Sequence, residues 1–393
     1  MLNIDFEKCT GCGACLQKCP KKCITWQEKE FGFKYPYIDK AKCINCNLCE
    51  KVCPVEKQNY INYTQRAFAV VNKSEEVLLD SSSGGAFTSV ANKVLSSNGI
   101  VYGCSMENFK VKHVRISSVD ELPKLRGSKY VQSDTKSTFS QVEKDLETSK
   151  NVLFVGTPCQ IAGLKSFLGK EYSRLLTVDI VCHGVGSQKY FDKYIECLKS
   201  ENGQIGELKF RDKEFGNTLI GCGIGSIIVK NKKGLIKKPL YAFMSYYYKY
   251  FLLGDIYRNS CYTCKYASMN RPGDITLGDF WGIEKLKLPL KINSGCSLLI
   301  INSQKGEGFI DSLEDINKIS VPIKDAIQEN AQLSYPSLLN SARYSRIQEY
   351  NKYSGNQIEK IFYKKYKKEI IKDMIKSKIP LSLQMKIKKF RKV

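Results

Sequence analysis

No run of about 18 apolar residues occurs in this 393-residue chain, so no segment is expected to span a bilayer. The longest weakly polar stretch, TLIGCGIGSIIV at 218–229, is too short and too rich in glycine. The first residues, MLNIDFEKC, carry neither a basic n-region nor an apolar h-region, and a secretory leader is not expected. The dinucleotide fingerprint G-x-G-x-x-G does not follow any strand-like segment; GCGIGS at 221–226 lacks both the third glycine and the strand–helix setting. No RNA- or DNA-binding module occurs, so nucleic acid is not an expected partner. Acidic residues are few beside basic ones, 39 against 62, leaving a formal charge of +23. That surplus attracts anions, whether a membrane face, a phosphorylated cofactor or an acidic protein, and says nothing about fold. With 42% hydrophobic and 11% aromatic residues the chain is globular and long enough for two or three domains.

What is abundant is cysteine, 17 in all. Disulfides suit small secreted domains, whereas clustered thiolates in a reducing, cytoplasmic setting more often hold metal. Cys9, Cys12, Cys15 and Cys19-Pro20 form C-x2-C-x2-C-x3-C-P. Cys43, Cys46, Cys49 and Cys53-Pro54 repeat it 34 positions later, a duplicated unit. Three thiolates at that spacing wrap three irons of one cubane, while the fourth, beyond a short helical stretch, points to the other. The expectation is one [4Fe–4S] cluster on Cys9, Cys12, Cys15 and Cys53, and a second on Cys43, Cys46, Cys49 and Cys19. A zinc site asks instead for well-separated pairs of ligands. Between the repeats, ITWQEKEFGFKYPYID reads as a hairpin. Over roughly its first 55 residues the sequence resembles bacterial dicluster ferredoxins. Cys23 lies outside the pattern and reads as a small buried residue.

After a polar linker at 58–65, QNYINYTQ, the pattern becomes α/β. RAFAVVN reads as a strand, and SSSGGAFTSVANKVLSSNG as a serine-capped helix stopped at Asn98-Gly99. A Ser/Gly-rich turn opening a helix is either an anion site or an ordinary cap. NVLFVGTPCQIAGLKSFLG and LLTVDIVCHGVGSQKYFDKYIECLKS each read as strand, turn, helix. Cys159 and Cys182 thus fall just past two strand ends, the edge where open α/β sheets bind ligands. Cys261 and Cys264 form a C-x2-C ahead of a Gly/Asp-rich turn and Trp281. Cys104, Cys197, Cys222 and Cys296 read as core residues, and His113, between Lys112 and Arg115, as a surface residue.

GTPCQIAGLKSFL, VDIVCHGVGS, CYTCKYASMNRPGDITLGDFWG, SSSGGAFTS and LRGSKYVQS together resemble the β-subunit family of coenzyme F420-reducing hydrogenases and dehydrogenases. That family includes ferredoxin-fused relatives and 7-hydroxymethyl chlorophyll a reductase, and the likeness runs over about residues 1–310. It implies an FAD-binding redox protein with a [4Fe–4S] cluster of its own, fed by the ferredoxin clusters. Carried over by position, the third cluster falls on Cys159, Cys182, Cys261 and Cys264. His183 could stand in for Cys182, and a zinc held by Cys159, His183, Cys261 and Cys264 is the alternative. For the flavin the candidates are the turn of Ser82, Ser83, Gly84 and Gly85 and the turn of Gly156 and Thr157, with Lys129 supplying charge. F420 is a candidate substrate. Bacterial relatives often accompany polysaccharide-assembly genes, which suggests a sugar or lipid-linked one. A non-catalytic relay subunit is the competing reading.

Beyond residue 310 the likeness fades. In NQIEKIFYKKYKKEIIKDMIKSKIP apolar residues recur at helical spacing among lysines, with Pro380 as the stop. Such a basic helix lies over the core, touches an anionic membrane or docks a partner. The expected architecture is a dicluster ferredoxin-like domain at 1–57 and the linker at 58–65. A larger α/β flavin and iron–sulfur domain follows at 66–310, then a basic, largely helical region at 311–393. The expected setting is cytoplasmic, with the inner membrane face as a contact, and the partner a redox protein or a small molecule.

Overall fold

The computed structural model describes residues 5–55, 57, 65–216, 223–231 and 234–377. Alternation around a glycine bend folds 24–38 into an antiparallel hairpin, β1 (Ile24–Glu28) and β2 (Lys34–Ile38), with Ile24 opposite Ile38. Two short helices flank it, Ala14–Lys18 and Leu48–Lys51, each entered through a left-handed residue, Gly13 and Asn47. The repeated cysteine pattern therefore becomes a repeated turn–helix.

Most of the remaining chain is built on one eight-stranded sheet. Its first strands are β3 (Arg66–Asn72), β4 (Ile100–Glu107), β5 (Lys110–Ile116), β6 (Val152–Gly156) and β7 (Leu175–Ile180). A separate antiparallel layer follows, β8 (Gln204–Lys209), β9 (Ile224–Asn231) and β10 (Gly234–Tyr241). β11 (Ile275–Asp279), β12 (Ser297–Ile301) and β13 (Ile316–Val321) complete the large sheet in the order β13-β3-β12-β11-β7-β6-β4-β5. Its middle strands β4, β6, β7 and β11 run parallel. They are apolar on both faces, as doubly covered strands must be. Val101, Leu153 and Val178 pack to one side, while Tyr102, Phe154 and Leu175 pack to the other with Phe139, Ile161 and Leu164. β13 lies beyond residue 310, where the α/β domain was expected to end, yet pairs with β3, so the sheet takes in residues 316–321 as well.

The helix predicted at 81–99 begins only at Ala86, with Gly85 rather than a serine as its N-cap. The serines are engaged elsewhere. Ser82 Oγ accepts from the Ser128 amide at 2.9 Å, and Ser83 Oγ donates to the Cys296 carbonyl at 2.9 Å. His113 is not a surface residue: it is 3% exposed, on the inward face of β5. Strand alternation turns Lys112 to the opposite face, while Arg115, two residues on, reaches outward to pair with Asp145 at 2.8 Å.

Residues 355–377 form the expected helix, and its stripe of Ile358, Phe362 and Ile370 is buried against an aromatic block. That block includes Tyr190, Tyr194, Tyr246, Tyr247 and Tyr250, with Phe362 edge-on to Tyr250 at 5.7 Å. Burying Phe362 alone contributes about 1.5–3 kcal/mol, which favours a helix laid on the core. Ile371, Met374 and Ile375, near its end, stay exposed. Pro380 and the rest of the tail lie outside the described residues, as do Cys222 and all of the linker but Gln65. Among the described residues no helix is long and apolar enough to cross a membrane.

Glu359 is drawn into the same block, and burial, with the Glu201 charge adding, pushes its carboxyl from 4.5 up to about 8. The folded state then keeps a proton that the unfolded chain releases, so this group costs stability as pH rises from 4.5 through about 8. Glu359→Gln removes the titration. Across that window the variant's urea midpoint should fall less than the wild-type midpoint, and parallel declines would refute the assignment.

Candidate functional site

The parallel strands end at one edge of the sheet, and there the molecule opens into a cavity of about 770 Å³. Gly103 and Cys104 of β4, Val155 and Gly156 of β6, Ile180 of β7, and Leu277, Gly278 and Asp279 of β11 form its floor. Cys159 and Cys182, each just past its strand, line the same space. So do Ser82, Ser83, Gly85, Lys129, Gly156 and Thr157. Gly84 instead packs behind the wall, its amide donating to Ser297 Oγ at 2.9 Å.

The thiols form three groups. Burial raises Cys12 to about 12, and Cys12 also feels the charges of Cys9, Cys159 and Cys53. Cys15, raised too, feels Cys12, Cys9 and Cys53. Cys19, Cys43, Cys46 and Cys49 ring a small depression at the other end of the ferredoxin-like domain. Cys23 joins this ring: it is buried as expected, but its sulfur stands 3.4 Å from that of Cys19. The third group is Cys159, Cys182, Cys261 and Cys264. Burial lifts Cys159 to about 11 and Cys261 to about 12, raises Cys182 and Cys264 as well, and each of Cys159, Cys182 and Cys261 feels another member. Groups of buried, mutually repelling thiols are deprotonated only when a cation compensates them, as iron does in a cubane. Among the described residues, no three His, Cys, Asp or Glu side chains close tightly on a single ion.

Local structure explains how these thiols are aimed. Pro158 opens the helix Pro158–Leu168 at N1, which turns the positive end of its dipole toward Cys159. Thr157 closes a capping box with Gln160, and its Oγ1 lies 3.2 Å from Cys159 Sγ. The Thr157 amide donates to Gln160 Oε1 at 3.0 Å, so that turn has already spent this amide. One turn along the helix, a Cβ on Gly163 would stand 2.9 Å from Cys12 Cβ and Sγ. The missing side chain is what lets the first and third thiol groups approach. The loop after Cys264 is pinned to the end of β7 by a buried ion pair. Arg271 Nη2 donates to Asp179 Oδ1 at 2.6 Å and to the Ile180 carbonyl at 2.9 Å, and Asp179 Oδ2 accepts from the Gly273 amide at 2.8 Å. Cys182 and Cys264 are thereby tied to one anchor.

Cationic groups line the opposite wall. Lys129 is partly buried, desolvation pushes it down to about 8, and it donates to the carbonyls of Leu125 (2.9 Å) and Arg126 (2.6 Å). Arg126 pairs with Asp80 at 2.9 Å, and Arg211 with Asp279 at 2.6 Å. Among the described residues, Thr88 Oγ1 and Arg126 Nε are buried on this wall without a partner. His113 is a wall residue too, held neutral by burial, which lowers it to about 4. The Val155 carbonyl, 3.0 Å from Nε2, can only accept, so Nδ1 accepts from the Ser133 hydroxyl at 2.9 Å. Cys104 lines the cavity rather than filling the core, whereas Cys197 and Cys296 are core residues. His183 and Trp281 stand on the wall, and burial lowers the His183 imidazole. Residue patterns pointed to neither His113 nor the Asp179–Arg271 pair, though the RPGD turn after Cys264 was a trace of the latter.

Residues 8–57 match the 4Fe-4S dicluster domain. Residues 149–325 match the family described as the C terminus of the coenzyme F420 hydrogenase/dehydrogenase beta subunit. The two matches fall in tandem, the first on the ferredoxin-like domain and the second on the larger α/β domain. No curated protein matches it. One similar solved structure is titled as a xenon derivatization of the F420-reducing [NiFe] hydrogenase complex from Methanosarcina barkeri. Identity is 15% and the TM-score 0.42, over 68% of this chain and 90% of that one.

Gly163→Val should force the helix off Cys12. Overpacking of this kind costs about 1–3 kcal/mol, read as a lower urea midpoint at unchanged slope. A wild-type midpoint would show that the approach is loose.

Proposed function

We propose that the chain is an iron–sulfur flavoprotein oxidoreductase, with FAD in the sheet-edge cavity and three [4Fe–4S] clusters. Cys9, Cys12, Cys15 and Cys53 would hold the first, Cys43, Cys46, Cys49 and Cys19 the second, and Cys159, Cys182, Cys261 and Cys264 the third. When bound, the flavin exchanges a hydride with coenzyme F420 or another small or glycan-linked substrate, and the clusters carry its electrons singly.

One observation carries this reading: Cys159 and Cys182 share a cavity with a partly buried lysine and a Ser/Gly turn. A relay subunit needs only a cluster near its surface, whereas a concave space of this size with convergent polar groups is the form of a ligand site. The fit to FAD rests on this wall. The Ser82 hydroxyl and the Gly85 turn, with Thr88 Oγ1 in reserve, offer donors for a pyrophosphate beside Arg126, the Ser83 hydroxyl being engaged with Cys296. Lys129 places a cation in a water-poor wall, where it would favour an anionic reduced ring. Cys12, leaning on the helix that begins at Pro158, marks the way from the ferredoxin-like domain to the cavity.

Protein purified without oxygen should carry about twelve irons, four per cubane, and one FAD per chain. Absence of flavin under every loading condition would defeat the proposal. Cys159→Ala should remove about four irons and leave about eight. Lys129→Met should retain the full iron content but release flavin on dilution, and unchanged flavin retention would remove Lys129 from the site.

A further inference from the structure

Among the described residues four arginines are buried, and three of these have carboxylate partners. Arg271 pairs with Asp179, Arg343 with Glu30, and Arg346 with Asp255 and Glu349. The fourth, Arg258, is 1% exposed, and among the described residues no carboxylate pairs with it. An uncompensated charge in such a place is costly, so its anion has to be sought nearby.

The surroundings of Arg258 are specific. Nε donates to the Cys9 carbonyl at 2.7 Å, Nη1 to Gln132 Oε1 at 3.1 Å, and Nη2 to the Lys34 carbonyl at 2.8 Å. Nη2 also lies 3.9 Å from Cys9 Sγ. The guanidinium stacks over the Tyr35 ring, 4.1 Å from its centroid. It occupies the room that a side chain on Gly11 would need, since a Cβ there would stand 2.9 Å from its Cζ; Gly11 also has φ +66°. On its far side its charge reaches Cys159 and Cys261, and the Cys261 amide donates to the Arg258 carbonyl at 2.9 Å. The buried arginine that lacks a carboxylate thus stands between the first and third thiol groups.

We propose that Arg258 is the shared counter-ion of the clusters at Cys9 and at Cys159 and Cys261, raising the reduction potential of both. The inference rests on the cluster assignment proposed above. A cubane on four thiolates is anionic and gains a further negative charge with each electron, so a fixed buried cation favours its reduced form. The cluster near Cys43 lies at the other end of the ferredoxin-like domain and lacks this cation. Arg258 acts through position and charge. A merely structural arginine, riveting the Cys9 and Lys34 carbonyls to the larger domain, would affect stability and leave potentials alone.

The test uses full-length protein prepared without oxygen, comparing wild type with Arg258→Met, Arg258→Gln and Arg258→Lys by iron content and by redox titration followed by electron paramagnetic resonance. In the neutral variants two of three midpoints should fall at least tenfold in the one-electron equilibrium, or 59 mV, with the third unmoved. Arg258→Lys should recover most of the shift. Iron lost from both neutral variants but kept by Arg258→Lys also supports the proposal, because only the charge distinguishes them. Full iron with wild-type midpoints in either neutral variant overturns it, as does an equal shift of all three or iron loss from all three variants. Wild-type protein without iron would overturn the cluster assignment itself, before any variant is compared.

Discussion

Thiols that repel one another have to be gathered in a place with little water, and most of the site's architecture answers to that constraint. Burial alone would leave Cys12, Cys15, Cys159, Cys182, Cys261 and Cys264 protonated and inert. The fold therefore surrounds them with fixed charge and dipoles. A helix N-terminus faces Cys159, Arg258 lies against Cys9, and the Asp179–Arg271 pair anchors the two loops that carry Cys182 and Cys264. Each of these devices is buried, where its field is least screened.

The same devices join the two halves of the chain. Cys12 rests in the gap left by Gly163, and Arg258 reaches across to the Cys9 and Lys34 carbonyls. Thr135 Oγ1 donates to the Cys12 carbonyl at 2.9 Å, and Gln132 Nε2 to that of Thr10 at 2.9 Å. A ferredoxin-like unit has little core of its own at this size, so packing against the sheet's helices stabilises it as well as aligning it.

Much of the fold was legible because its signals are local. Alternation around a glycine marks the β1–β2 hairpin, and apolar runs mark β3, β6 and β7. The tail helix was readable from its stripe at 358, 362 and 370. Where reading failed, a tertiary partner had intervened. The serines at 82 and 83 bond to Ser128 and Cys296 rather than to their own helix, and His113 looked exposed because Lys112 turns to the other face and Arg115 reaches out to Asp145. Arg258 could not be singled out among 62 basic residues, since nothing nearby in sequence distinguishes a buried arginine from a solvated one.

By itself the sequence determined the two cysteine repeats, the β1–β2 hairpin, the strand–turn–helix units of β6 and β7, and the positions of Cys159 and Cys182 at strand ends. These follow from spacing and periodicity, which are properties of short segments. Only the tertiary structure decided which thiols share a neighbourhood, that Lys129 and His113 face a common cavity, and that one guanidinium without a carboxylate stands between two thiol groups. Those facts depend on contacts between residues far apart in the chain, and desolvation and Coulomb energy act through space with no regard for sequence distance.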